Sequence, residues 1–346
     1  MKLAVKSENI LEQIAVSSGA LPQPLIMLFW GWGVSKTLMT AVKLNVFEEL
    51  NKNEMSGEEF ARKSEISIRG CKALFNALCG FGYLKKKQGR YSLTAVSKRF
   101  MLEESKFSMA DAFRFFSMLV EAKSDVEKQI RMDETYDLHK MDLSQDFWKY
   151  YMRTLAMFAE IPGKEIASKN YGLRDPKRLL DIGGGHGVYA DMFVKKYKNL
   201  SAEVLDLKEA CEEGRTIQQK RKGNVKFTEG DLRKLNTDSK YDIILLFNVL
   251  HNLNDMDSKK AVSKCAEALN ENGALIILDS ENDDSKEKYT FTSGYNELFF
   301  FLISSAGAHP ERDMKDWMSE AGLKRVRKER LLTVPNMVLI SGRKTS

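Results

Sequence analysis

Residues 179–190 read LLDIGGGHGVYA and residues 248–255 read NVLHNLND, and each stretch contains or follows the end of an apolar run. In the first, Gly183, Gly184, Gly185 and Gly187 remove side chains where a strand turns into a helix, so a ligand can press against main-chain N–H groups. A flexible turn is the bland alternative; three adjacent glycines directly after a buried strand favour a ligand site. The dinucleotide fingerprint GxGxxG fails, because the sixth position counted from Gly183 is Val188. The Gly-Lys-Ser/Thr of a phosphate loop is also absent. What the loop offers is DxGxGxG, through Asp181, Gly183, Gly185 and Gly187. That pattern sets a carboxylate beside the ligand and favours positive charge or several hydroxyls over a pyrophosphate.

Two more acids follow at strand ends. Asp206 closes VLDL, about 20 to 25 residues past the loop, where a carboxylate can accept hydrogen bonds from ribose hydroxyls. Asp231 closes EGD and could take an adenine amino group, with Leu207 and Leu232 flanking the ring. A single strand-end Asp is commonly a turn or helix cap. Asp181, Asp206 and Asp231 at three successive ends point instead to one ligand, and Phe247 and Asn248 at the next end are grouped with them. His251 is one of only four histidines and stands just past YDIILLF. Such a residue can be a satisfied cap; beside a ligand crevice it can be a general base.

The elements that must position these residues begin near residue 175. RLLDIGGG, AEVLDL, VKFTEGD, YDIILLFNVL and GALIILDSE read as strands with helices between most of them, and SKKAVSKCAEAL puts Ala261, Val262, Cys265 and Leu269 on one stripe. Alternation of this kind predicts a parallel sheet with helices on both faces, whose ligands bind beyond the carboxyl ends of the strands. KRVRKERLL and NMVLISGRK are joined by a short turn containing Pro335, too short for a parallel crossover, so the sheet should finish with an antiparallel pair.

Ahead of that domain, Leu38, Ala41, Val42, Val46 and Leu50 recur at helical spacing after turn chemistry at Pro22 and Pro24. Ser56 is an expected N-cap followed by two glutamates. A helix with Leu74, Leu78 and Phe81 on one side then leads into the hairpin YLKKKQGRYSLT, with Gly89 at its turn. Helices followed by a hairpin are a winged-helix pattern. Residues 101–172 are helical and rich in Met, Phe, Tyr and Trp, which serves a core more often than a pocket.

The 346 residues suggest two units at about 150 residues each. Lys plus Arg exceed Asp plus Glu by 54 to 48, and a net charge of +6 is too dilute to imply nucleic acid. Cys71, Cys79, Cys211 and Cys265 are far apart with no CxxC pair, which reads as reduced cytoplasmic thiols, with no metal site called for. Lys2 and Lys6 are followed by Glu8 and Glu12, not by an apolar core, so no secretory leader is expected. LIMLFWGWGV at 25–34 falls short of the roughly 20 residues that span a bilayer and should be buried or face a partner.

LLDIGGGHG, VLDL, EGD and NVLHNLND, in that order and spacing, resemble the small-molecule O-methyltransferases that use S-adenosylmethionine, in the branch of the caffeate-type and hydroxyindole enzymes. The resemblance covers nearly the whole chain. It implies a Rossmann-like class I methyltransferase sheet over 173–346 and a winged-helix-like dimerisation domain over 1–105. Residues 106–172 become a helical linker that contributes to the substrate pocket. It also implies a cytoplasmic homodimer acting on a hydroxylated aromatic or polyketide-like molecule, with neither nucleic acid nor membrane as partner.

Methyl transfer to oxygen needs donor and acceptor aligned and a proton removed. A phenol at about pKa 10 needs a base, and an imidazole at about 6.5 is suited to the task. By resemblance His251 is that base, flanked by two acids at Asp279 and Glu311. Asp279 is one methylene shorter than the family's usual Glu, which predicts a weaker or water-mediated contact; Asn252 and Leu253 replace the usual Asp and Trp. Phe147, Met152 and Met157, with Tyr295 and Phe299, would form an apolar, adaptable substrate pocket. His186 is expected to shape the cofactor site; His139 and His309 have no argued role, although His309 is near Glu311 and could be a second proton acceptor.

Two other readings compete. The same fold and cofactor can serve hydroxylation or decarboxylation. A metabolite-sensing, winged-helix DNA-binding regulator is the second, with Arg69, Lys72 and Lys85 to Lys87 as its charge; its recognition helix, mostly Ala, Leu, Phe, Gly and Cys, has few groups that read bases.

Overall fold

The computed structural model describes residues 7, 9–18, 24, 27–121, 126–132, 143–235, 238, 240–281, 289–304, 306–334 and 337–345. Lys2, Lys6, Glu8, Pro22, Leu25, Ile26, His139 and Pro335 lie outside the described residues. The chain divides into two compact units, Lys2–Lys123 and Ser124–Ser346. Helix Ala110–Glu121 falls in the first unit and helix Gln145–Ser168 in the second.

In the first unit, strands β1 (Met55–Ser56), β2 (Leu84–Lys87) and β3 (Arg90–Leu93) form an antiparallel sheet in the order β1-β3-β2. Gln88 and Gly89, at φ 48° and 78°, make the two-residue turn between β2 and β3. Ser56 caps helix Gly57–Lys63 in a capping box with Glu59, the reciprocal pair that satisfies two free amides. Leu38, Ala41, Val42, Val46 and Leu50 are all buried. The helix Ile68–Gly80 turns its core stripe slightly from the expected one: Cys71, Phe75 and Leu78 are buried, whereas Phe81 is the C-cap and is exposed. Residue Phe81 sits past the last turn, so helical spacing no longer governs its direction.

In the second unit, β4 (Arg178–Ile182), β5 (Ser201–Asp206), β6 (Val225–Glu229), β7 (Tyr241–Phe247), β8 (Leu269–Ser280), β9 (Lys324–Glu329) and β10 (Met337–Arg343) form one sheet in the order β6-β5-β4-β7-β8-β10-β9. The first five strands pair in parallel, and β10 is antiparallel to both β8 and β9. Alternate residues of the central strands serve opposite faces, as the period of two requires. Ile243, Leu245 and Phe247 pack with Trp148, Met152 and Phe193 from one helical layer. Ile244 and Leu246 pack with Val262, Met314 and Trp317 from the other. Burying each such side chain stabilises the fold by roughly 1.5–3 kcal/mol, which fixes the strand ends where β4 and β7 meet the loops that follow. Among the described residues no helix is long and apolar enough to cross a membrane.

Candidate active site

The loop after β4 is shaped by left-handed backbone. Gly183, Gly185 and Gly187 have φ of 65°, 39° and 65°, which only glycine adopts without strain. Space also requires glycine: a Cβ on Gly183 would come within 2.5 Å of Val249, and one on Gly185 within 2.8 Å of the Met152 sulfur. A Cβ on Gly184 would collide with the Asp181 carboxyl group. The loop therefore lies flat over Asp181 and against the turn that follows β7.

Asp181 is fully buried, and neither carboxylate oxygen has a well-formed hydrogen bond. Desolvation, followed by the neighbouring Asp206, pushes its pKa up to about 8, and the Ala190 N–H reverses only part of the shift. An uncompensated buried carboxylate is costly, and a cationic ligand group would relieve it. Asp206 keeps some surface, yet its carboxyl group is enclosed; burial raises its pKa to about 6 while the Leu207 and Gly185 amides oppose the shift. Those two N–H groups donate to it at 2.7 Å each. The Gly183 N–H donates to the Leu205 carbonyl at 2.8 Å, so the tips of β4 and β5 form one cradle. His186 is a latch within it. Its Nδ1 accepts from the Val188 N–H at 3.0 Å, its carbonyl accepts from Gln218 at 2.8 Å, and burial, with a smaller push from Arg221, holds its pKa down to about 3.

The remaining ligand-site residues are arranged less uniformly. Asn248 adopts φ 56° at the end of β7, its N–H donates to the Leu278 carbonyl at 2.7 Å, and it is exposed. Phe247 is a core residue, edge-on to Tyr189 at 4.9 Å. Leu207 and Leu232 are partly buried, against different faces of the sheet. Asp231 does not wait open for an adenine: Arg233, two residues on, forks its carboxylate through Nε and Nη2 at 2.9 and 2.7 Å. The neighbouring cation was visible in the sequence, but the turn that folds it back was not.

His251 lies in the short 3-10 turn Leu250–Asn252 and is 8% exposed. Its Nδ1 is 2.7 Å from Asp279 Oδ1. The other oxygen of Asp279 accepts from the backbone N–H groups of Leu250 and His251 at 3.0 and 3.4 Å, and Oδ1 also accepts from the Ser280 N–H at 2.7 Å. The contact is direct, in contrast to the weaker or water-mediated one expected from the shorter side chain. Asp279 ends β8 beside the turn, so the turn itself comes within reach of a short carboxylate. Phe300 stacks on the imidazole with ring centroids 4.0 Å apart and 19° between planes. Among the described residues, Nε2 of His251 has no hydrogen-bond partner. With Nδ1 turned to a carboxylate, the geometry assigns the hydrogen to Nδ1 and leaves Nε2 as an acceptor.

Glu311, the expected second acid, is not brought to His251. It heads helix Glu311–Glu320 and is held by Lys315 at 2.5 Å, one turn along, and by Lys328 of β9 at 2.6 Å. Burial raises its pKa, but these two ammonium groups outweigh that and hold it below the usual value.

Residues 116–324 match the family described as the O-methyltransferase domain, and residues 27–103 match the O-methyltransferase dimerisation domain. The chain belongs to the O-methyltransferase family. A relative is the 3-hydroxy-5-methyl-1-naphthoate 3-O-methyltransferase of Streptomyces sahachiroi, 22% identical over 322 residues that cover 88% of this chain and 90% of that one. Among solved structures, an O-methyltransferase family protein from Burkholderia thailandensis superimposes with a TM-score of 0.82 at 17% identity, covering 93% of this chain and 98% of that one. Human N-acetylserotonin methyltransferase, solved in complex with S-adenosylmethionine, gives a TM-score of 0.75 at 18% identity, covering 99% of this chain and 100% of that one. This O-methyltransferase is a small-molecule enzyme that takes its methyl group from S-adenosylmethionine.

The O-methyltransferase's own residues fit that cofactor. The unsatisfied Asp181 carboxylate suits its positively charged end. Of the expected substrate residues, Phe147 and Met152 are buried in helix Gln145–Ser168, and Met152 packs on the glycine loop. Met157 in the same helix is partly exposed. Tyr295 and Phe299 stack on one another at 5.8 Å in helix Phe291–Ile303, which has no buried residue. Phe300 and Ser304 were not singled out by the sequence, and His309 was offered only as a second proton acceptor. Their roles come from contacts across the fold, and only the FFFLI run around Phe300 gave a local signal.

Proposed function

We propose that His251 is the general base for methylation of a hydroxyl on a small aromatic or polyketide-like acceptor. The observation that carries this reading is the 2.7 Å contact between His251 Nδ1 and Asp279, with Nε2 left without a hydrogen-bond partner among the described residues. Asp279 fixes the tautomer and supports the positive charge that develops as Nε2 takes the hydroxyl proton. Phe300 on the ring face stops the imidazole from turning. S-adenosylmethionine supplies an activated methyl on a sulfonium, so the protein's work is alignment and proton removal. Asp181, Gly183, Gly184, Gly185 and Asp206 would hold it, with Leu207, Leu232, Phe247 and Asn248 bordering the site and Asp231 contributing only if it leaves Arg233.

An aromatic acceptor is supported by a series of rings. Tyr295 stacks on Phe299, Phe299 meets Phe300 edge-on at 5.8 Å, and Phe300 stacks on His251. The naphthoate named for the Streptomyces relative is an acceptor of this chemical class. A homodimer is supported by the dimerisation-domain match and by Leu28, Trp30 and Trp32, which are 68%, 58% and 69% exposed within it. The test incubates the enzyme with S-adenosylmethionine and a panel of hydroxynaphthoates, flavonoids and non-aromatic alcohols. Equimolar S-adenosylhomocysteine and methyl ether from the phenols is expected; methylation of the alcohols alone would refute the aromatic assignment.

A further inference from the structure

The turn that carries His251 is held from two directions. Asp279 takes its amides, whereas its carbonyls are taken by residues that play no part in the chemistry above. Ser304 Oγ donates to the His251 carbonyl at 3.1 Å. His309 Nε2 lies 3.0 Å from each of the Leu250 and Leu253 carbonyls, and 3.0 Å from Ser258 Oγ. Carbonyl oxygens only accept, so the contacts with Leu250 and Leu253 call for a hydrogen on Nε2. His309 Nδ1 faces Asp255 Oδ1 at 3.1 Å, Trp317 packs edge-on to the ring at 5.0 Å, and the residue is 5% exposed. Its backbone forms a parallel bridge with Glu281, just beyond Asp279 on the same chain segment. One residue therefore ties the segment that presents Asp279 to the turn that presents His251.

We propose that His309 is a positioning residue for the methyl transfer: by clamping the Leu250 and Leu253 carbonyls it keeps His251 in register with Asp279 and the acceptor. This replaces its expected role as a second proton acceptor, because Nε2 is spent on the two carbonyls. The proposal rests on the reading of His251 as base. Displacing a catalytic group by about 1 Å can cost on the order of a hundredfold in rate, so a clamp of this kind acts on kcat and leaves ground-state binding largely alone.

The test uses the enzyme, a phenol that it methylates in the acceptor panel, and His309→Leu, which removes the donor, beside His309→Gln, whose amide N–H restores it. His309→Leu should lower kcat about 10- to 100-fold with acceptor KM and cofactor Kd within about threefold, and His309→Gln should recover most of the loss. In a His251→Ala background, His309→Leu should cost nothing further. An equal cost in both backgrounds, or an unchanged kcat, overturns the positioning role. Full activity of His251→Ala by itself overturns the base assignment instead. A measurement on the wild type is independent of the folding of any variant and of the acceptor. Long-range nitrogen–proton NMR should show His309 hydrogen-bearing at Nε2, and a bare Nε2 refutes the clamp.

Discussion

Phe300 lies against His251 almost face to face, with centroids 4.0 Å apart, so the imidazole is held both at its edge by Asp279 and across its face. A ring pair of this kind contributes about 0.5–1.5 kcal/mol beyond burial. Phe300→Ala should therefore lower kcat about three- to tenfold while cofactor Kd, read by calorimetry, stays within about twofold. A wild-type kcat would show that the face contact does not restrain the base.

Asp279 has a sharper prediction. Asp279→Asn keeps the shape but lets the amide donate to Nδ1, which moves the imidazole hydrogen to Nε2 and removes the acceptor; kcat should fall on the order of a hundredfold or more. Asp279→Glu, which restores the family's usual residue, should also impair this enzyme about tenfold. Its extra methylene displaces a carboxylate that already accepts from Leu250, His251 and Ser280. Steady-state rates for the two variants decide the matter, and a Glu variant as fast as wild type contradicts it.

Much of this arrangement could be read from the sequence, because it is local to strand ends. Asp181, the glycines and Asp206 stand at the ends of β4 and β5 in plain order, and the strands' apolar runs fix which end is which. His251 and Asp279 were paired through family resemblance; their direct contact depends on how closely the Leu250–Asn252 turn approaches β8. Glu311 failed for an identifiable reason. Its partner Lys315 is an i,i+4 neighbour, but Lys328 reaches it only through the placement of β9 beyond the helix. His309 was illegible because its partners, Leu250, Leu253 and Ser258, lie more than 50 residues away.

Asp181 makes the stability of the ligand-free enzyme depend on pH. Its folded pKa of about 8 exceeds the ordinary 3.8, so the folded state holds the extra proton between these values and stability falls as pH rises through that window. His186, depressed to about 3 from 6.5, has the opposite slope below pH 6.5, and Asp206 has titrated by about 6. Between about pH 6.5 and 8 Asp181 therefore stands out, at up to about 1.4 kcal/mol per pH unit. Denaturant melts across that range should show falling stability, removed in Asp181→Asn and reduced by saturating S-adenosylmethionine. A flat wild-type profile contradicts the unpaired carboxylate.

Glu311→Gln separates the corrected site from the one expected from the family. The ion pairs to Lys315 and Lys328 are partly exposed, so their loss should cost about 1 kcal/mol or less in stability. The rate of methyl transfer should stay within about twofold. A loss comparable to that of Asp279→Asn would return Glu311 to the base.

The most direct test of the account is single-turnover methyl transfer by His251→Ala with cofactor already bound. An unchanged fold, a cofactor Kd within about threefold of wild type, and a rate lowered by about 10² to 10⁴ are expected. A rate equal to that of the wild type, at equal cofactor occupancy, would contradict the assignment of His251 as the base.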